Sequence, residues 1–264
     1  MNYVISNKSS SAYRLAKELG VRRITLHKSK LKNDIQLKQL LIRTDSKFIN
    51  FGVSKLEYNF KDILNKPEAV ARAVNKKNTL SFLMFNHIPH IDWETDIKKA
   101  MVWLDQGFKV YCRRKLCGTQ GAGIVIASTI DELVPCRLYT KGEQIKREYR
   151  IHVFNNKVID FVAKAKKKGC KVSESGEPNP LIQNHKNGWV FVRNSVKITD
   201  KRRLLLQNLA IRSINALGLD FGAVDILLNT NNQLKVIEIN TAPGISGLAF
   251  KAYINAIKLW WNKV

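Results

Sequence analysis

The sequence predicts an α/β (α+β) fold, and three observations carry that reading. Stretches of helical periodicity alternate with stretches of strand periodicity along the chain. With 264 residues, 45% of them hydrophobic, the chain can bury a sizeable core, in one large lobe or a few small ones. Near the C-terminus an amphipathic helix leads directly into residues 218–247, which read as one tight β-hairpin carrying polar residues inside apolar strands.

Ser9–Leu19 reads as a capped helix ended by Gly20, and Lys47–Gly52 ends a short strand before a loop. Pro67 opens a helix running through Asn75 and Lys76, because proline at the first helical position costs no hydrogen bond. A further helix spans Asp92–Gln106, and Gly107 stops it. Strands follow at Lys109–Arg114 and Ile124–Ala127, separated by the glycine-rich loop 116–123. Such a loop can turn its backbone N–H groups onto phosphates without side-chain obstruction, although a plain hairpin turn would look the same. It has neither the Gly-Lys-Ser/Thr of a Walker motif nor the strand-to-helix setting of a dinucleotide fingerprint. Thr199–Leu217 is an amphipathic helix stopped by Gly218, and residues 248–262 close the chain as a helix.

The strands Ala223–Asn229 and Leu234–Asn240 flank the turn Thr230–Gln233. Pairing Asn229 with Leu234 sets Asp225 opposite Glu238, and Asn240, two residues on, shares that face. Three hard oxygen ligands then point into one space, which suits a magnesium–phosphate site. The competing reading is a surface hairpin with solvated acids. Against it, Asp225 and Glu238 interrupt apolar runs that look buried, where an unpaired carboxylate is costly.

Lys and Arg total 45 against 21 Asp and Glu, a net charge of +24. That excess suits polyanionic company, such as nucleotide phosphates, nucleic acid or an acidic protein, and a generically basic solvated surface is the alternative. The first residues lack the apolar core of a signal peptide, and no apolar stretch approaches a membrane span, so a cytoplasmic location without membrane partner is expected. Cys112, Cys117, Cys136 and Cys170 form no CxxC pair, which argues against a zinc ribbon or redox motif. His87 and His90 have no accompanying ligands in the sequence and read as ordinary core or surface histidines.

Three motifs in order resemble the ATP-grasp superfamily, in particular the ribosomal-protein glutamate ligases and a group of small phage-encoded ATP-grasp proteins. Residues 114–123, Arg-Lys-Leu-Cys-Gly-Thr-Gln-Gly-Ala-Gly, are similar to the family's Lys-x-x-x-Gly-Thr-Gln-Gly-x-Gly phosphate loop. Residues 148–153 resemble its acid-x-Arg strand, and Asp225 with residues 238–244 resembles its metal hairpin. The likeness runs from about Asn65 to Gly247. It implies ATP held between two lobes, with residues 1–66 as a substrate-side lobe, 67–138 as a central lobe with the phosphate loop, and 139–264 as a lobe with the metal hairpin.

The same resemblance implies residue roles. Lys76, Arg114, Gly118, Gln120, Gly121 and Gly123 would bind phosphates, Leu138, Tyr139, Thr140 and Lys141 would hold adenine through their backbone, and Glu148 would take the ribose. Arg150 and Lys164 would act around the phosphates and the incoming carboxylate, and Arg193 with Asn194 would form a catalytic pair on the substrate side. Asp225, Glu238 and Asn240 would bind two Mg²⁺ ions, with Mn²⁺ as a substitute. Three positions depart from the pattern: Arg114 replaces a lysine, Ala223 stands where peptide-forming ligases carry an arginine, and the hinge lacks a glutamate.

The implied chemistry is ATP-dependent joining of a carboxylate and an amine through an acyl phosphate, on an acidic or polyanionic substrate. Two alternatives stand: an ATP-grasp kinase of a polyanionic small molecule, and a nucleic-acid-binding protein on an ATP-grasp scaffold. For a phage-encoded chain the location would be the host cytoplasm.

Overall fold

A computed structural model describes residues 1–25, 46–56, 60–118, 121–166, 189–193 and 198–262. The chain opens with β1 (Asn2–Ser6), α1 (Ser10–Glu18), β2 (Arg22–Thr25), β3 (Lys47–Phe51) and β4 (Asp62–Leu64). These strands form a parallel sheet in the order β2-β1-β3-β4. The Ser9 side chain caps α1 by accepting from the Ala12 N–H, and Gly20 leaves the helix with a φ of 65°.

Two helices follow where the sequence suggested one: α2 (Pro67–Val74) and α3 (Lys76–Phe85). Asn75 makes the break. Its backbone is extended and its side chain accepts from the N–H groups of Lys77 and Asn78, so it ends one helix and caps the next. Next come β5 (Trp93–Glu94), α4 (Ile97–Asp105), β6 (Val110–Arg113), β7 (Ile124–Ala127) and β8 (Leu138–Lys141), an antiparallel sheet in the order β5-β8-β6-β7. The helix expected from Asp92 starts later because Asp96 caps it and Trp93–Glu94 pair with β8.

The largest sheet runs β11-β10-β9-β12-β13, built from β9 (Ile145–Phe154), β10 (Lys157–Lys166), β11 (Trp189–Val192), β12 (Phe221–Asn229) and β13 (Leu234–Asn240). Helix α5 (Asp200–Ala216) precedes β12, and α6 (Gly247–Trp261) closes the chain. Leu206, Ala210 and Ile214 of α5 join Ala69, Val70 and Leu83 of α2 and α3 against the back of this sheet. Packing therefore crosses the chain-order divisions at 67 and 138: α2 and α3 belong with the last sheet, and β8 completes the central one. Helix α6 likewise returns to the first lobe, where Tyr253, Ile254 and Ile257 meet Val4, Leu15 and Phe51.

A buried polar clamp ties the first lobe to the large sheet. Asn65 sits at a φ of 58°, its N–H donates to Asp220 Oδ2 at 2.6 Å, and its Oδ1 accepts from the N–H groups of Asp220 and Phe221. No helix among the described residues is long and apolar enough to cross a membrane.

Candidate active site

The open face of the large sheet is organised in cross-strand rows. Val162, Arg150, Asp225 and Glu238 lie side by side on β10, β9, β12 and β13. The next row along is Asp160, His152, Ala223 and Asn240 on the same four strands. Period-2 alternation aims both rows at one side. The hairpin reaches this arrangement by a route the turn did not announce: Leu228, not Asn229, pairs with Leu234, and a bulge at Ile237 restores the alignment of Asp225 with Glu238.

These rows floor a cleft of about 740 Å³, roofed by β6, the glycine loop and β8. Lys76, Gly118, Gly121, Thr140, Lys141, Glu148, Arg150, Lys164, Arg193, Asp225, Glu238 and Asn240 all line it. Leu138 and Tyr139 do not, because their side chains are buried in the core while their strand borders the cleft. Gln120 and Asn194 lie outside the described residues. Gly123 sits at the base of the loop with a φ of 78°, its carbonyl accepting from the Arg114 N–H at 3.0 Å.

Arg114 is exposed and absent from the cleft lining; Arg113 lines it instead. Strand alternation explains the exchange: Val110 and Cys112 enter the core of the central lobe, so Tyr111 and Arg113 face the cleft. Burial lowers the Arg113 pKa, opposed by the nearby Glu238 carboxylate, and its Nε donates to Thr140 Oγ1 at 3.3 Å.

The charges are tightly paired. Arg150 forks onto Asp225 with two 2.7 Å hydrogen bonds. Burial pushes the Asp225 carboxyl up, but Arg150 and Lys164 pull it further down, so it lies below the usual carboxylate value. Lys164 is ion-paired with Glu148 and lies 3.8 Å from Asp225. Glu148 is pushed up to about 7, mainly by burial, with Lys164 opposing the shift. His152 is lowered to about 4 by burial and by Arg150, and its Nδ1 lies 3.3 Å from Tyr253 Oη. Lys76 bridges the roof and the floor: its Nζ donates to Gly118 O and to Glu238 Oε1, each at 3.1 Å, and its N–H donates to Leu116 O.

The hairpin fits a hard cation. Glu238 is half-exposed, and the Asn240 amide nitrogen is buried without a hydrogen bond, the sole side-chain amide so placed among the described residues. Rotating that amide by 180° turns its oxygen to the same spot, where an ion would satisfy it. No three of His, Cys, Asp and Glu cluster for a metal among the described residues. An ion bound by Asp225 and Glu238 would need its remaining ligands from this amide and from phosphate or water oxygens.

The sequence reading missed Arg113, His152, Asp160 and Phe191. Phe191 lies under the Arg150 guanidinium, 4.6 Å from its ring centre. Alternation within β6 could have exposed Arg113; the other three depend on strand neighbours distant in the chain.

Residues 95–260 match the RimK-like ATP-grasp domain. The chain is 25% identical over 220 residues to the tetrahydromethanopterin:alpha-L-glutamate ligase of Methanocaldococcus jannaschii, covering 79% of this chain and 72% of that one. It is 29% identical over 221 residues to the protein of the same name from Methanococcus maripaludis, covering 76% and 68%. Among solved structures, ATP-grasp ligase PsnB complexed with minimal precursor superposes with a TM-score of 0.66 at 11% identity over 99% of both chains. D-alanine–D-alanine ligase from Bacillus anthracis does so at 0.63 and 14%, over 97% of this chain and 91% of that one. With a cleft floored by an acid-bearing hairpin, roofed by a glycine loop and matched by that domain over more than half its length, the chain belongs to the RimK-like ATP-grasp family of ATP-dependent ligases.

Proposed function

We propose that this protein joins a carboxylate to an amine by way of an acyl phosphate, and that its substrate is acidic. One observation carries the reading: a single cleft face sets Asp225, Glu238 and Asn240 beside Arg150 and Lys164, while Lys76 reaches it from the start of α3 and Arg113 from the roof. Phosphoryl transfer to a carboxylate brings two anions together, and such a constellation meets the charge.

Lys76 and Arg113 bind the phosphates, and the N–H groups of the glycine loop complete the cradle. The backbone of β8 takes the adenine. Glu148 takes the ribose hydroxyls, which releases Lys164 to the phosphates. Asp225, Glu238 and Asn240 would hold Mg²⁺, which would supply neutralisation of the charge on the transferred phosphoryl group. Arg150, fixed by Asp225, orients the acceptor carboxylate and stabilises the oxyanion after amine attack, a role left vacant by Ala223. The loop closed over the nucleotide keeps water from the acyl phosphate. The excess of cations, +24, suits an acidic acceptor, small or macromolecular, whose binding should weaken with salt.

The purified protein should convert acidic peptides to hydroxamates when given Mg-ATP and hydroxylamine, with equimolar ADP. Glu238→Gln should lower that rate by about 100-fold or more without changing the melting temperature, since even outer partners of a metal cost about 10–100-fold. A stable phosphate ester on a hydroxyl, with no hydroxamate, would identify a kinase instead.

A further inference from the structure

The positive charge of the chain is held in two different ways. In the cleft, Lys76, Arg150, Lys164 and Arg193 each pair with a carboxylate. On the first lobe, α1, β2 and α6 together carry six cations and one acid, Glu18. None of the six forms an ion pair with a carboxylate among the described residues.

Five of the six share one outer face. Ala12, Leu15 and Ala16 of α1 are buried with Tyr253, Ile254 and Ile257 of α6, so the two helices pack together on the first sheet. That packing turns Tyr13, Arg14 and Lys17 of α1, and Lys251 and Lys258 of α6, outward. With about 3.6 residues per turn, Tyr13 and Arg14 take opposite flanks of the exposed face of α1 and Lys17 lies between them. On one flank the Arg23 guanidinium of β2 lies over the Tyr13 ring, 5.5 Å from its centre, and donates to Ser9 O at 3.2 Å. On the other flank the Arg14 guanidinium lies over the Phe250 ring of α6, 4.6 Å from its centre. Lys251 follows Phe250, and Lys258 is two turns, about 10 Å, further along the same helix. Arg22, the sixth cation, alternates with Arg23 and points to the other side of the sheet with Ile24. The band is separate from the nucleotide site: Ala249 of α6 lines the cleft, and none of the five cations does.

A band of unpaired cations attracts a polyanion, and the aromatic rings select which kind. Acidic peptides and anionic headgroups need only the charge. Guanidinium planes held flat against rings, beside a tyrosine that is 55% exposed, also offer π-faces on which bases stack. We propose that this band binds single-stranded nucleic acid, with Arg14, Lys17, Arg23, Lys251 and Lys258 contacting phosphates and Tyr13 and Arg14 stacking bases. A duplex keeps its bases stacked on one another and forfeits the second set of contacts. The proposal goes beyond the ligase reading and does not depend on it.

Fluorescence anisotropy tests it on the full chain, with short labelled oligouridine and oligothymidine as probes and the cleft filled by Mg²⁺ and a non-hydrolysable ATP analogue. Affinity should fall with salt at a log–log slope of about −3.5, since each of five phosphate contacts contributes about −0.7 for a single strand. Lys17→Glu with Lys251→Glu should lower affinity about tenfold or more and reduce the slope to about −2, that of three contacts. Tyr13→Ala should lower affinity about fivefold or more, the effect of one stacked base, and leave the slope unchanged. All these variants should keep the melting temperature and the affinity for the ATP analogue. A tighter hold on oligouridine names RNA as the ligand and on oligothymidine DNA, and either keeps the proposal. No binding of either probe overturns it, as does a duplex of the same length bound equally well. Unchanged affinity in Tyr13→Ala, with poly-L-glutamate or phosphatidylserine vesicles displacing the probe as well as unlabelled oligonucleotide does, overturns it in favour of an acidic protein or a membrane surface.

Discussion

The two hairpins that face each other across the cleft are built on opposite principles. The floor hairpin, β12–β13, lies in a five-stranded sheet, and all nine residues of β12 are buried. Its acids are held by ion pairs with neighbouring elements, Asp225 with Arg150 and Glu238 with Lys76. The roof hairpin, β6–β7, is partly exposed, and among the described residues of its loop Leu116 O and Gly118 O accept from Lys76. Rigid placement of charge calls for deep packing, and the floor hairpin carries more of it than the roof.

The contrast is broken most severely at the floor. Asp225→Asn leaves Arg150 without its carboxylate in a site where Asp225 is 2% exposed, and should cost about 3–5 kcal/mol of stability, the range for removing one partner of a buried pair. Urea unfolding measures it. A loss under 1 kcal/mol would mean that the floor is as loosely held as the roof.

Glu148 sharpens the floor further. Its pKa rises from 4.5 when unfolded to about 7 when folded, chiefly through burial. A raised folded value means stability that is complete below pH 4.5 and lost as pH climbs towards 7, about 3 kcal/mol in all at 1.36 kcal/mol per unit. Glu148→Gln should flatten that part of the stability profile between pH 4.5 and 7. Equal slopes for wild type and variant would show that Lys164 already holds the carboxyl ionised.

At the roof, effects should appear in binding and not in folding. Arg113→Ala should weaken Mg-ATP binding by about 1.5–3 kcal/mol, the range for charged hydrogen bonds, while Arg114→Ala should change it by less than about 0.5 kcal/mol. Titration calorimetry of both variants decides which arginine serves the phosphates. The smallest effect on stability is expected at Gly118, where, among the described residues, an added Cβ meets only Ala122 O, at 3.5 Å. Gly118→Ala should shift unfolding by about 0.5 kcal/mol or less, yet crowd the phosphates and lower nucleotide affinity.

Much of the site was legible because its motifs are local. The pair Glu238 and Asn240 depends on alternation within one strand, so spacing conveyed it, whereas the glycine loop looks like a plain hairpin turn and stood out only through its likeness to the family pattern. Arg114 shows where motif matching fails: the family spacing selected it, whereas packing of Val110 and Cys112 turns Arg113 inward. The bulge at Ile237 was invisible for a related reason, since a bulge is settled by what both neighbouring strands must bury. Two errors in helix extent, at Asn75 and Asp96, arose where an Asn or Asp side chain captured backbone N–H groups inside a helical pattern.

By itself the sequence determined the alternation of helices and strands, the three motifs in order and the oxygen-ligand hairpin, because each is written in residues a few positions apart. Only the tertiary structure decided which side chains share the cleft: Lys76 meets Glu238 across 162 positions, Arg150 meets Asp225 across 75, and Asp160 meets Arg193 across 33. The physical reason is that a charge inside a low-dielectric cleft must find its partner wherever sheet order places one, and sheet order follows from the burial of apolar faces contributed by the whole chain.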